Sequence, residues 1–255
     1  MSATLANQHL YINHDIGLLK SVIREYDMKE AGFNLIKEYE LLKPSKIKYL
    51  EENFTKQERT IEIGKLQIDN SIFTRNLMNA FKEARVEFCN QNELENADIL
   101  SIKKDAIFVI KKQCKNLKVG NNIEFSMKNR YSSYCYLNKI EFYYSVWNNN
   151  FDIKGAVDND HPLLAHICSI IKLNEKANNK ELIFKNLQKL RLDYLERKLP
   201  IEFYREINPN NSYRLSDRYT KYVLYLDDAN DELLQNIDIS YNYINFIVPL
   251  ISILI

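Results

Sequence analysis

Glycine and proline are scarce in this 255-residue chain, five of each, and that scarcity excludes a loop-rich, collagen-like or disordered protein. There are only four cysteines, Cys89, Cys114, Cys135 and Cys168, with no CxxC pair and no histidine at a ligand spacing. Neither a zinc site nor a disulfide framework is predicted, and the thiols read as reduced. Charge of one sign is lacking too: 35 Lys and Arg balance 34 Asp and Glu to a net +1, so any basic surface has to be local. No apolar run reaches the roughly twenty residues that a membrane span needs. The first fifteen residues show no basic stretch followed by an apolar one. The expectation is a cytoplasmic protein with no membrane segment.

What the chain does have is apolar residues, 45% of the total, including seventeen Tyr and twelve Phe. That is enough for one large domain or two small ones. The most informative stretch is Ala97 to Val109, ADILSIKKDAIFV. Ile99, Leu100 and Ile102 precede a charged Lys103-Lys104-Asp105 tip, and Ile107, Phe108 and Val109 follow it. Such runs favour pleated backbone, so a β-hairpin is predicted with Asp105 offered to solvent at its turn. A carboxylate on rigid structure suits a hard cation such as Mg²⁺. The plainer reading is a surface hairpin with a charged turn.

Residues 8–26 place Ile12, Ile16, Leu19, Val22, Ile23 and Tyr26 at three- and four-residue spacings, which reads as a helical stripe or a helix running into a strand. Asp27 follows, either capping the next helix or serving a site. Residues 53–66 carry Lys56, Arg59 and Lys65 around Gly64, a loop-to-helix element with cations on one side. From Gln67 to Cys89 the periodicity predicts one long amphipathic helix. Between Lys103 and Tyr131 eight Lys or Arg face two acids, a local positive excess that would attract phosphate. A strand-like run, Ser132 to Val146, follows with tyrosines expected on a half-exposed face. Phe151 to Gly155 closes it with an exposed Lys154. Helices are predicted over 161–173 and 180–199, Arg205, Arg214, Arg218 and Lys221 form a second weakly basic patch, and 243–255 is an apolar end expected to be buried or to dock a protein partner.

The fold class expected is α+β: a mainly helical region over 1–96, a central antiparallel sheet over 97–157 and a mainly helical region over 158–255. The order of features resembles the palm and thumb of family B DNA polymerases of the small phage type. Tyr26 to Ile36, YDMKEAGFNLI, is similar to the family's first motif, with Asp27 in the metal-ligand place. Ser101 to Val109 resembles the Asp-Thr-Asp hairpin, keeping the later acid as Asp105 and carrying Lys103 for the earlier one. Lys128-Asn129-Arg130-Tyr131 is similar to the family's primer-gripping motif, and Lys154-Gly155 to the short motif that opens its thumb.

The resemblance implies Mg²⁺-dependent nucleotidyl transfer with Asp27 and Asp105 as catalytic metal ligands. It implies Lys128, Arg130, Tyr131 and Lys154 on the nucleic acid, most readily primed DNA. The chain departs from the family in having no room for the usual fingers and no fingers motif, so Lys56, Arg59 and Lys65 are the visible candidates for the nucleotide's phosphates. Two other readings stay open: a non-catalytic nucleic-acid- or polymerase-associated binding protein, and a viral structural or assembly protein.

Overall fold

The computed structural model describes residues 3–176, 180–207 and 238–254. The chain is α+β, with an antiparallel sheet and helices. Its elements run β1 (Leu10–Ile12), β2 (Leu18–Met28), α1 (Ala31–Glu38), α2 (Pro44–Asn53), α3 (Lys56–Asp69), α4 (Ser71–Gln91), β3 (Ile99–Lys103), β4 (Ala106–Ile110), β5 (Lys118–Val119), β6 (Ile123–Leu137), β7 (Ile140–Ser145), β8 (Asn150–Lys154), α5 (Pro162–Lys176) and α6 (Lys180–Leu195). A last helical stretch comprises Ser240–Asn242, a π turn Tyr243–Ile247 and α7 (Val248–Leu254). The chain divides into two compact units, residues 1–13 with 22–130, and residues 14–21 with 131–255.

In the first unit the strand order is β1-β3-β4-β2, with the start of β6 beside β2. The β3–β4 hairpin stands where the alternating apolar runs predict it, turning through Lys104 at φ 41° and Asp105. Its tip is half-buried rather than exposed, because β2 lies against β4 in antiparallel register, Tyr26 opposite Ile107 and Asp27 opposite Ala106. The helical reading of residues 8–26 is corrected to strand. Strand β2 buries Ile23 and Glu25 on one face and Tyr26 and Met28 on the other. Burial of both faces removes the two-residue alternation that would have marked it. Asp27 is no helix cap either: it belongs to β2, and Glu30, in left-handed backbone at φ 42°, immediately precedes α1.

The single long helix expected over 67–89 is two. The Asn70 side chain accepts a hydrogen bond from Phe73 N–H at 3.0 Å and starts α4, so α3 ends there and Ile68 and Ile72 are left exposed on either side of the break. Helix α3 opens on a capping box, the Thr55 side chain bonded to Glu58 N–H and Glu58 answering to Thr55 N–H. Tyr26, Met28, Ile102, Ile107, Val109 and Phe125 of the sheet join Phe33, Ile63, Leu77, Phe81 and Phe88 of α1, α3 and α4 in one core.

In the second unit β6, β7 and β8 are consecutive antiparallel neighbours. The tight β6–β7 turn, Asn138 and Lys139 at φ 43° and 67°, divides the run that looked like one strand. Both central residues adopt the left-handed conformation that suits a two-residue hairpin. Tyr131, Tyr134, Tyr143 and Tyr144 are buried in the core, whereas Tyr136 is half-buried, as expected of the run. Cys135, Phe142, Leu164, Ile167, Leu187, Leu190 and Tyr194 pack with Phe246, Ile247 and Leu250, so the apolar chain end is helical and contributes to this core. In the second basic patch Arg205 pairs with Asp158, whereas Arg214, Arg218 and Lys221 lie outside the described residues.

Gly155 has φ +91°, and a Cβ there would lie 2.6 Å from the Lys139 carbonyl oxygen in the β6–β7 turn. Gly155→Ala therefore meets both backbone strain and a clash with backbone, and should lower stability by roughly 1–3 kcal/mol. The urea midpoint should fall with the slope of the transition unchanged.

Candidate functional site

The end of β2 and the turn between β3 and β4 come together because of one ladder. Met28 N–H donates to the Asp105 carbonyl at 3.1 Å, one step beyond the Asp27–Ala106 pair, which ties the turn carrying Asp105 to the end of β2, and both carboxylates line the same space. That space is a cavity of about 270 Å³, lined by Asp27 and Asp105, by Glu30 and Phe33 at the start of α1, by Lys56, Arg59, Thr60 and Ile63 of α3, and by Lys104. Leu77 and Phe81 of α4 add apolar lining to it. A concave space on which several polar groups converge is a candidate small-molecule site.

The electrostatics follow from this crowding. Burial pushes the Asp105 carboxyl above its ordinary range, and the neighbouring Asp27 carboxylate pushes it further; its own backbone N–H, Lys104 and Lys128 pull partly the other way. Asp27 accepts an ion pair from Lys128 of β6, Nζ to Oδ2 at 3.4 Å. Arg59 reaches across from α3 to Glu30 at 2.9 Å, donates to the Phe54 carbonyl at 2.7 Å, and lies 4.8 Å from the centre of the Phe33 ring. Lys104 Nζ stands 5.0 Å from the Phe81 ring centre, and its N–H donates to the His9 carbonyl.

Of the residues expected at a site, the structure brings Asp27, Asp105, Lys56 and Arg59 to one cavity, and places Lys128 on Asp27. It does not bring Lys65 there: that side chain is exposed on α3 and pairs with Glu62 at 2.7 Å. Arg130 is exposed on β6. Tyr131 and Lys154 belong to the second unit. The Tyr131 ring is 3% exposed, its hydroxyl donating to Asp152 at 2.8 Å, which leaves no face for a base to stack on. Lys154 is half-buried rather than exposed, 3.0 Å from Asp152. Sequence reasoning missed Glu30, whose only signal is its place three residues after Asp27.

Among the described residues no cluster of three or more His, Cys, Asp or Glu could hold a metal. Asp27 and Asp105 nevertheless bring carboxylate oxygens to one cavity, a donor set that fits Mg²⁺. That ion takes hard oxygens, commonly one or two carboxylates from the protein, and fills its remaining positions with water and substrate phosphate. No helix among the described residues is long and apolar enough to cross a membrane.

Compared with known proteins, residues 1–255 match the model of one protein family, described as Bacteriophage PBS1 gene 130 protein. No curated protein matches the chain.

Proposed function

We propose that this chain, which belongs to the Bacteriophage PBS1 gene 130 protein family and is thus a phage protein, is a polymerase-like nucleic-acid-binding protein acting by Mg²⁺-dependent nucleotidyl transfer to a primer 3′ hydroxyl. One observation supports this above the others: Asp27 and Asp105 line the same cavity as Lys56 and Arg59. The two carboxylates would hold Mg²⁺, which supplies charge neutralisation at phosphate and a more acidic hydroxyl. The residues of the chain position the partners. Lys56, exposed at the start of α3, and Arg59 face the nucleotide's phosphates, while Lys128 and Arg130 on β6 face the strand that carries the hydroxyl. In the reaction the 3′ oxygen bonds to the α-phosphorus, the bond from that phosphorus to the pyrophosphate oxygen breaks, and the hydroxyl proton passes to solvent.

A second reading, a non-catalytic nucleic-acid- or polymerase-associated binding protein, is favoured by a different observation. Lys128 and Arg59 are already paired with Asp27 and Glu30, so the site neutralises part of its own charge. Primer extension on a primed single strand with four nucleotides and Mg²⁺ separates the two. The catalytic reading expects extension by the natural chain, abolished by Asp27→Asn and by Asp105→Asn. Binding that weakens steeply with salt, without extension, leaves the second reading. Neither extension nor binding removes both in favour of a structural or assembly protein.

A further inference from the structure

Lys128 forms an ion pair with one member of the carboxylate pair, and its position is the informative one. It reaches Asp27 from β6 across 101 residues of sequence, at 3.4 Å. Its own side chain is 55% exposed while that of Asp27 is 28% exposed, so the ammonium reaches from the more solvated side to one oxygen of a carboxylate that the proposed metal ion would also use. The pair is long and one partner is well solvated, which makes it weak and easily opened. The ammonium compensates charge on Asp27, one of the two carboxylates assigned to the metal.

We propose that Lys128 is a built-in counter-ion of the Asp27–Asp105 site: a divalent cation binds by displacing it from Asp27, and the released ammonium then becomes available to a phosphate of the nucleic-acid strand. This inference rests on the metal-binding part of the function proposed above and adds its regulation. Without nucleic acid the lysine holds the place of the metal, and metal affinity is low. When a phosphate takes the lysine, the carboxylates are exposed to the metal. Linkage requires the effect to be reciprocal, so bound metal raises affinity for the strand by the factor that the strand raises affinity for metal.

The test is Mn²⁺ binding to the full chain, followed by the loss of the free-ion electron paramagnetic resonance signal, for the natural protein, Lys128→Met, Lys128→Arg and Asp27→Asn. Thermal unfolding shows that each variant is folded. Removing one unit charge about 3–4 Å from a carboxylate should tighten Mn²⁺ binding by roughly three- to tenfold in Lys128→Met. Lys128→Arg should stay near the natural value, and Asp27→Asn should lose binding. Anisotropy of a labelled primed strand at constant ionic strength should show Mg²⁺ strengthening binding to the natural chain by more than it does to Lys128→Met. If Lys128→Met binds Mn²⁺ no more tightly than the natural chain while Asp27→Asn loses it, the counter-ion role is overturned and the metal site stands. If none of the four binds Mn²⁺, the inference and the metal-dependent reading beneath it fall together.

Discussion

Replacing Arg85 with methionine should cost on the order of 3 kcal/mol of folding stability, among the largest effects of any single substitution in the first unit. Arg85 lies in α4, is fully buried, and spends its guanidinium on three backbone carbonyls: Nη2 donates to Gln8 at 2.8 Å, Nε to Ala6 at 3.3 Å, and Nη1 to Lys104. Burial lowers its pKa to about 10, so it remains charged at neutral pH. Two effects oppose each other when it is removed. Losing a buried charge relieves its desolvation, whereas three carbonyls lose charge-assisted hydrogen bonds of about 1.5–3 kcal/mol each, and the second effect is the larger. Arg85→Lys should recover little, because one ammonium cannot span three acceptors held by a planar fork. Urea unfolding of both variants is the measurement, and a change within 0.5 kcal/mol of zero, as expected for an inert position, would show that the clamp contributes nothing. Since Lys104 adjoins Asp105, the same substitution should also loosen the tip that carries the candidate site.

Acidification should destabilise the second unit through His161. This residue is 1% exposed at the start of α5, where its Nδ1 accepts from Leu163 N–H at 3.1 Å and its Nε2 faces the Arg205 carbonyl at 2.7 Å. One nitrogen must accept and the other donate, which requires the neutral ring with its proton on Nε2. Burial is the main reason that its pKa falls from 6.5 to about 4; the Arg205 carbonyl opposes that fall and the Arg205 charge adds to it. The folded pKa lies below the unfolded one, so the contribution is fully present above pH 6.5 and is lost as pH falls toward 4. Across that window the unfolded chain takes up a proton that the folded chain refuses, worth roughly 3 kcal/mol in all.

His161→Asn provides the control. Asparagine can still accept from the first turn of α5, and the Arg205 carbonyl keeps its bond from Asn242 at 2.7 Å. The natural chain should lose more stability than this variant between pH 6.5 and 4, the two curves being parallel above that range. Curves that stay parallel throughout would sink the assignment.

How much of this was legible in the chain depended on how local each feature is. The β3–β4 hairpin was, because two apolar runs bracket three charged residues within thirteen positions. Asp27 standing before a helix was, and so was Asp105 at a turn. The strand character of β2 was not, since its burial on both faces leaves no alternation for a reader to find. The break at Asn70 was missed because Ile68 and Ile72 carry the helical spacing of buried residues while both are exposed. The tyrosines of β6 and β7 misled in the other direction: nothing in their spacing distinguishes a buried ring from one offered to a base.

By itself the sequence determined the α+β class, the hairpin with Asp105 at its turn, the acid Asp27 shortly before α1, and the local excess of positive charge after the hairpin. Each is set by neighbours within a few residues, through pleat, turn and helix preferences. Tertiary structure alone decided that Asp27 and Asp105 share a cavity, because the register of β2 on β4 joins residues far apart in the chain. It decided equally that Lys128 lies on Asp27, that Lys56 and Arg59 line the same cavity while Lys65 does not, and that Tyr131 is core. Such pairings depend on ladder register and helix placement across long separations, where one residue of slip would turn a side chain to the other face.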